Sequence, residues 1–416
     1  MIDTTIYPRL IEPHLVEALA DSPAVLIHGP RQCGKTTLAR IVGATRGYSY
    51  VTFDDDVVRG AAEEDPRGFA AGLPGRVILD EIQKAPALCA ALKVEIDRKR
   101  TPGRFLLTGS THALLVPKLS ESLAGRLQTL RLHPLAQCEL MRCGSGFLDA
   151  LFEGDFAVER SERLGPALPG RIVAGGYPAA LTRAPGRRRA NWYHDLVDAL
   201  VQRDVLDLAR VRQLDILPRL LAAAASQTAR IFNVSDLAAP FEVSRPTIRD
   251  YTTLLERVFL LERLPAWHSN RVRRLVKRPK LHLGDTGIAS ALLGLDGPAL
   301  AYDRTLFGQL LETFAFQELR RQASWHDARM SFHHFRDKDG AEVDIVIERG
   351  AAAVAGVEVK ASGTVRPGDF RGLRKLRRSL GDRFAAGVVL YDGEAAVPFG
   401  DRLHAVPVRR LLEGSE

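Results

Sequence analysis

No run of eighteen apolar residues occurs in the chain, which excludes an ordinary transmembrane helix. The N-terminal stretch MIDTTIYPRLIEPHL lacks the apolar centre of a secretion signal, so a cytoplasmic protein without membrane contact is expected. Cysteine is scarce. The four present, Cys33, Cys89, Cys138 and Cys143, form no CxxC pair and no metal-ligand spacing with histidine. That excludes a disulfide framework and a Cys/His metal site and leaves free thiols in a reducing compartment. Internal repeats and low-complexity segments are missing as well. Acidic residues are outnumbered, 50 against 58 Lys and Arg, and the net charge of +8 leans toward an acidic partner such as nucleic acid. What remains is a soluble globular composition, 46% hydrophobic and 26% charged, in 416 residues. That length is too great for one ordinary core, so two or three domains are expected.

Three textures follow one another. Residues 24–132 alternate short apolar strands (AVLIHG, YSYVTFDD, GRVILDEIQ, GRFLLTGS, RLQTLRLHPL) with helical segments, the pattern of a parallel sheet covered on both faces. From about 145 to 300 helical periodicity dominates. There Asn233 or Ser235 caps a short helix, a turn falls at 240–244, and a second helix starts near Ser244 with Pro246 in its first turn. With the strand-like FLLERLPAW after it, this is the order of a winged helix-turn-helix. From about 301 the chain is α/β again. The linkers fall near 140–170 and 292–302.

The sharpest motif is HGPRQCGKTTL, residues 28–38, which holds Gly29-x4-Gly34-Lys35-Thr36 between a strand and a helix. Its chemistry is that of a phosphate-binding loop. Backbone N–H groups of Gly29, Pro30, Arg31, Gln32, Cys33 and Gly34, proline excepted, and of Thr37 line an anion cradle at a helix N-terminus. Lys35 supplies charge to the β/γ-phosphates of ATP, and Thr36 a hydroxyl to Mg²⁺. Asp80 ends the apolar strand RVILD, where a carboxylate is costly unless it meets a cation, so it is a second Mg²⁺-binding candidate. Glu81 beside it is placed to orient the attacking water; otherwise the two carboxylates cap a helix. Thr108 and Ser110 end a strand expected beside the loop strand and either meet the γ-phosphate or form a polar strand end. Arg126 in SLAGRL is either a γ-phosphate sensor, in cis or toward a neighbouring copy in a homo-oligomer, or a surface arginine.

Residues 1 to about 135, on GPRQCGKTTL, ILDEIQKAP, LLTGS and SLAGRL, resemble an AAA-type ATPase domain of the extended archaeal/bacterial ATPase group. With GGYP at 175–178 and GVEVK at 356–360, the whole chain resembles widespread prokaryotic ATP-binding proteins that carry a C-terminal domain of unknown function. The resemblance implies ATP binding and little about biological role.

In the middle region Ser244, Arg245, Thr247 and Arg249 open the expected recognition helix, suited to phosphate and major-groove contacts. The stretch HSNRVRRLVKRPK places six Lys and Arg in residues 271–280, a basic wing able to straddle DNA; the alternative is a protein-contact module with a solvated basic face. In the C-terminal region GAEVDIVIERGAAAVAGVEVKAS folds back around residue 351. That register sets Asp344 opposite Glu358, with Lys360 on the same face and Glu312 on the preceding helix. The set resembles the PD-(D/E)XK nuclease core. Asp344 and Glu358 are its metal-ligand candidates and Lys360 and Glu312 complete the site. The alternatives are a nuclease-like fold that only binds, and a cross-strand salt bridge on a solvated sheet. His333 and His334 alternate in the strand before and receive no role.

The expectation is therefore an α/β chain of three domains. Residues 1–140 form a P-loop AAA-type parallel-sheet domain, 145–300 a helical and winged-helix region, and 301–416 a restriction-endonuclease-like domain. Two functions fit: an ATPase acting on DNA with metal-dependent cleavage at its C-terminal end, or an ATP-dependent regulatory switch whose C-terminal domain only binds a partner.

Overall fold

The computed structural model describes residues 6–110, 123–208, 213–270, 272, 274 and 277–414. They divide into two compact units, Pro8–Pro134 with Arg257–Phe259, and the remainder. The segments expected as separate middle and C-terminal domains thus pack as one unit. Among the described residues no helix is long and apolar enough to cross a membrane, and all four cysteines are free.

The first unit is built on β1 (Ala24–His28), β2 (Ser49–Thr52), β3 (Val77–Asp80), β4 (Phe105–Gly109) and β5 (Leu127–Arg131). All pair in parallel, in the order β2-β3-β4-β1-β5. The three central strands are apolar and buried from end to end, as strands covered on both faces must be. Asp80 and Thr108 therefore enter the core as polar exceptions at the carboxyl ends of β3 and β4. Helix α1 (Lys35–Ala44) follows β1 after a six-residue loop.

In the second unit, helix α2 (Ile216–Ser226) leads through β7 (Arg230–Ile231), α3 (Val234–Ala238) and α4 (Arg245–Arg257) to β8 (Leu261–Leu264) and β9 (Lys280–Leu283). The three strands form an antiparallel sheet with β9 in the middle. Asn233 caps α3 through its side chain, and the Ser244 hydroxyl accepts the Thr247 N–H at the start of α4. Beyond α5 (Arg304–Ala323) runs a seven-stranded sheet of β10 (Met330–Arg336), β11 (Glu342–Arg349), β12 (Ala353–Lys360), β13 (Phe384–Tyr391), β15 (Leu403–Pro407), β14 (Ala395–Pro398) and β6 (Glu159–Arg160), in that spatial order. Helix α6 (Arg371–Leu380) packs on β11, β12 and β13 through Leu373, Leu376 and Leu380.

One buried arginine ties this unit together. Arg321, in the last turn of α5, is 2% exposed. It donates to Asp285 Oδ2 at 2.9 Å, Glu318 Oε1 at 2.7 Å and the Leu135 carbonyl at 2.8 Å. The same carboxylates accept the N–H groups of Gly176 and Gln137 at 2.9 and 2.8 Å. The GGYP motif finds its reason here. A Cβ on Gly176 would lie 2.5 Å from the Leu135 carbonyl oxygen and 2.9 Å from Arg321 Nη1. Removing the arginine would leave two buried carboxylates without their cation. Arg321→Ala should cost about 3–5 kcal/mol, read as a lowered midpoint in urea unfolding followed by circular dichroism.

Candidate functional site

The loop between β1 and α1 turns on two left-handed residues, Gln32 (φ 61°) and Gly34 (φ 103°). The second is glycine because that backbone region is open to it without penalty. The side chain of Arg9 fastens the loop from outside, donating to the carbonyls of Cys33 at 2.9 Å and His133 at 2.7 Å. Cys33 is wholly buried with its thiol toward the Leu132 carbonyl at 3.5 Å, and burial pushes that thiol up. Its side chain packs, so only its backbone faces a ligand. Pro30 is buried, while Gln32 and Thr37 are exposed and Arg31 is partly so.

Lys35 is 4% exposed, and its ammonium donates to the carbonyls of Pro30 at 2.8 Å and Gly29 at 3.2 Å. Among the described residues no carboxylate pairs with it. Thr36 Oγ1 donates to Asp80 Oδ1 at 2.8 Å, and Thr108 donates to the same oxygen. Tyr50 Oη donates to Asp80 Oδ2 at 2.8 Å. Burial and this bond push the Tyr50 phenol up to about 12, and the Arg40 guanidinium lies over its ring at 5.0 Å. Glu81 sits in the left-handed region at φ 57°. Its N–H bonds the Thr108 hydroxyl at 3.0 Å. Its carboxylate bonds Gln83, which reaches Ser110 Oγ at 2.9 Å. Backbone in the left-handed region at Gln32 and Glu81 costs of order 1 kcal/mol or more each.

Arg126 is a correction. In a parallel sheet, the residue before one strand lies beside the start of its neighbour. Leu127 pairs with Ala24 at the start of β1, whereas the loop follows His28, opposite Arg131. Arg126 is thus at the far edge of the sheet, ion-paired to Asp97 at 2.6 Å. A phosphate contact within one chain is ruled out by that placement.

The C-terminal set assembles as the register requires, with one unforeseen member. The β11–β12 ladder runs from Arg349 opposite Ala353 to Ile345 opposite Val357, and the next step sets Asp344 opposite Glu358. Asp344 Oδ2 accepts the Val359 N–H at 3.0 Å, and Lys360 pairs with Glu358 at 2.8 Å. Into this group comes Lys280 of β9, 3% exposed. Its Nζ lies 2.8 Å from Glu312, 2.9 Å from Glu342 and 3.0 Å from Asp344. Four carboxyl groups thus face two ammonium groups, with Lys280, Asp344 and Glu358 buried. Burial raises Glu312 well above the usual carboxylate range and Glu358 to about 8. Asp344 is held low: burial opposes its ionisation, but Lys280 and the Val359 N–H outweigh it. Burial likewise works against the Lys280 charge, which Asp344, Glu312 and Glu342 hold well above normal.

The metal-ligand candidates Asp344 and Glu358 each meet an ammonium group, Lys280 at 3.0 Å and Lys360 at 2.8 Å. Among the described residues no group of three or more His, Cys, Asp or Glu is disposed to hold a metal ion. The basic wing is also partly turned inward. Arg274 grips Glu348 with both terminal nitrogens, at 2.6 and 2.9 Å, and Lys280 is buried. Arg271 and Arg273 lie outside the described residues. His333 and His334 are both buried beside a β-bulge, and burial lowers each to about 4. Arg9, Tyr50, Gln83, Lys280 and Glu342 were not singled out from the sequence.

Loop geometry, parallel-sheet order and family model agree on the first unit, which resembles a P-loop AAA-type domain. Residues 21–141 match the model described as AAA domain. Residues 166–299 and 307–411 match two domains of unknown function, DUF8612 and DUF4143. An uncharacterized protein of Mycobacterium tuberculosis is 29% identical over 399 residues, covering 96% of this chain and 83% of the relative. The Walker-type ATPase of Pyrococcus abyssi superposes with a TM-score of 0.40 at 15% identity, covering 69% of this chain and 96% of that one. The RuvB Holliday junction branch migration motor of Thermotoga maritima does so at 0.27 and 17%, covering 61% and 89%.

The Arg274–Glu348 pair has a pH signature. Burial alone would raise Glu348, but Arg274 and the Trp267 N–H bring it down to about 2 from an ordinary 4.5. A depressed carboxyl contributes stability above its unfolded value, and that contribution fades as pH falls from 4.5 toward 2. The stability difference between the parent and Glu348→Gln should therefore be full at pH 6 and shrink steadily in thermal melts taken between pH 5 and 3.

Proposed function

We propose that the chain is a Mg²⁺-dependent ATPase whose turnover is coupled to duplex DNA. The observation that carries the first half is Lys35: a buried ammonium with two neutral carbonyls as its partners, beside a Thr36–Asp80 pair at a helix N-terminus. A buried cation without a counter-charge is costly, and a polyphosphate removes that cost. In this reading Lys35 and the loop N–H groups hold the β/γ-phosphates, while Thr36 and Asp80 hold the ion. The ion itself neutralises charge on the transferring phosphoryl group. Glu81, steered by Gln83 and Ser110, orients the attacking water. Hydrogen bonds from Thr108 and Tyr50 keep the Asp80 carboxylate in place.

The second half rests on the segment α2–β7–α3–α4–β8–β9. Its order, with β9 between β7 and β8, supports the winged-helix reading. Arg245 and Arg249 are exposed on the first turns of α4, which suits phosphate contacts. The alternative, a nucleotide-dependent switch whose C-terminal domain binds without cutting, gains from Lys280 among the nuclease-like carboxylates.

Lys35→Ala should weaken ATP binding by about 1.5–3 kcal/mol, tenfold or more in Kd by isothermal titration. Glu81→Gln should leave Kd unchanged and lower kcat by roughly 10²-fold. Unaltered ATP binding in Lys35→Ala would place the site elsewhere. For DNA, the anisotropy of a labelled duplex should show affinity falling steeply with salt. Joint replacement of Arg245 and Arg249 by alanine should reduce that slope by about two. An unchanged slope would move the contact surface away from α4.

A further inference from the structure

We infer that the Lys280 ammonium is the resident cation of the C-terminal carboxylate centre, standing where such a set would take a divalent metal. The centre is then a metal-free latch on β9, not a hydrolytic site. An ammonium has three donors and no acceptor. Here each of three carboxylates, Glu312, Glu342 and Asp344, has an oxygen within 3.0 Å of Nζ. Two of the donors are hydrogen-bonded, to Glu312 and Asp344, and the Glu342 carboxylate completes the ion-paired surroundings. A divalent ion bridging the same Glu312 and Asp344 oxygens would have to take the position that the Lys280 ammonium now fills. Metal and ammonium exclude one another.

The origin of the lysine gives the latch its meaning. Lys280 belongs to the three-stranded β7–β9–β8 sheet and meets Asp344 across 64 residues of sequence. Six residues earlier, Arg274 closes on Glu348, further along the same strand β11. Two cations of one short basic stretch thus clamp to opposite ends of one strand. Trp267 adds its indole N–H to Glu348 at 3.0 Å. The lysine of the E-x-K pattern does not compete for the position, because Lys360 is bonded to Glu358. Glu358 Oε2 is buried and has no hydrogen-bond partner among the described residues.

Manganese titrations of the full chain without nucleotide test this, with binding followed by the loss of the free-ion paramagnetic resonance signal. The parent, Asp344→Asn and Glu358→Gln should bind equal numbers of Mn²⁺ ions, since the centre takes none and any ion near Asp80 is common to all three. Lys280→Ala should melt roughly 5–10 °C lower than the parent. Mn²⁺ should restore much of that loss, and should fail to do so in Lys280→Ala/Asp344→Asn. An extra ion bound by the parent relative to Asp344→Asn overturns the inference, as does a Lys280→Ala variant that melts with the parent or that Mn²⁺ leaves unrescued. Should Lys280→Ala not fold, the ion count of the parent against Asp344→Asn decides the matter alone. None of these readings involves ATP, so their failure is distinguishable from failure of the ATPase assignment.

Discussion

Arg321 is the constraint from which the larger unit follows. Its guanidinium spends its donors on three chain segments far apart in sequence: the Asp285 carboxylate, the Glu318 carboxylate and the Leu135 carbonyl. Asp285 in turn caps the helix Thr286–Leu292 through the Gly287 N–H and receives the Gly176 N–H. Four elements are thereby positioned by one planar cation that is 2% exposed. Such a centre is stable only when complete, because any missing partner strands a buried charge. The middle and C-terminal segments match two different family models and still fold as one body, and this network is the physical reason.

The nucleotide site shows the opposite logic, with polarity concentrated at strand ends. β1, β3 and β4 bury every residue, so Asp80, Thr108 and Ser110 are held where three apolar strands stop. Among the described residues the carboxylate is held by hydroxyls and by no basic side chain. Three side chains from three elements, Thr36, Thr108 and Tyr50, donate to it.

Local chemistry was legible in the sequence; partner choice was not. The phosphate loop could be read because strand, glycines, lysine and helix are contiguous, and the Asp344–Glu358 register because a hairpin centred near 351 is local too. Lys280 was visible only as one charge in a basic run. Nothing in that run tells which of its six cations turns inward, since the choice is made by carboxylates at 312, 342 and 344. Arg321 and Asp285 were silent for the same reason. Arg126 is different, because its misplacement was avoidable. Strands in a parallel sheet share a direction, so a residue just before β5 must lie with the start of β1 and away from the loop at its end. Tyr50 carried no such signal, as its reach to Asp80 depends on β2 lying beside β3.

The crowding around Asp80 has a consequence for ion choice. Both of its oxygens already accept hydroxyl hydrogens. An ion that bonds the carboxylate directly must displace these hydroxyl donors. An ion that retains its inner water shell need only offer those waters as further donors. The site should thus favour outer-sphere attachment, and with it small, strongly hydrated cations such as Mg²⁺ over larger ones that shed water readily. A tyrosine on an edge strand would in this way take part in metal selection without ever touching the metal.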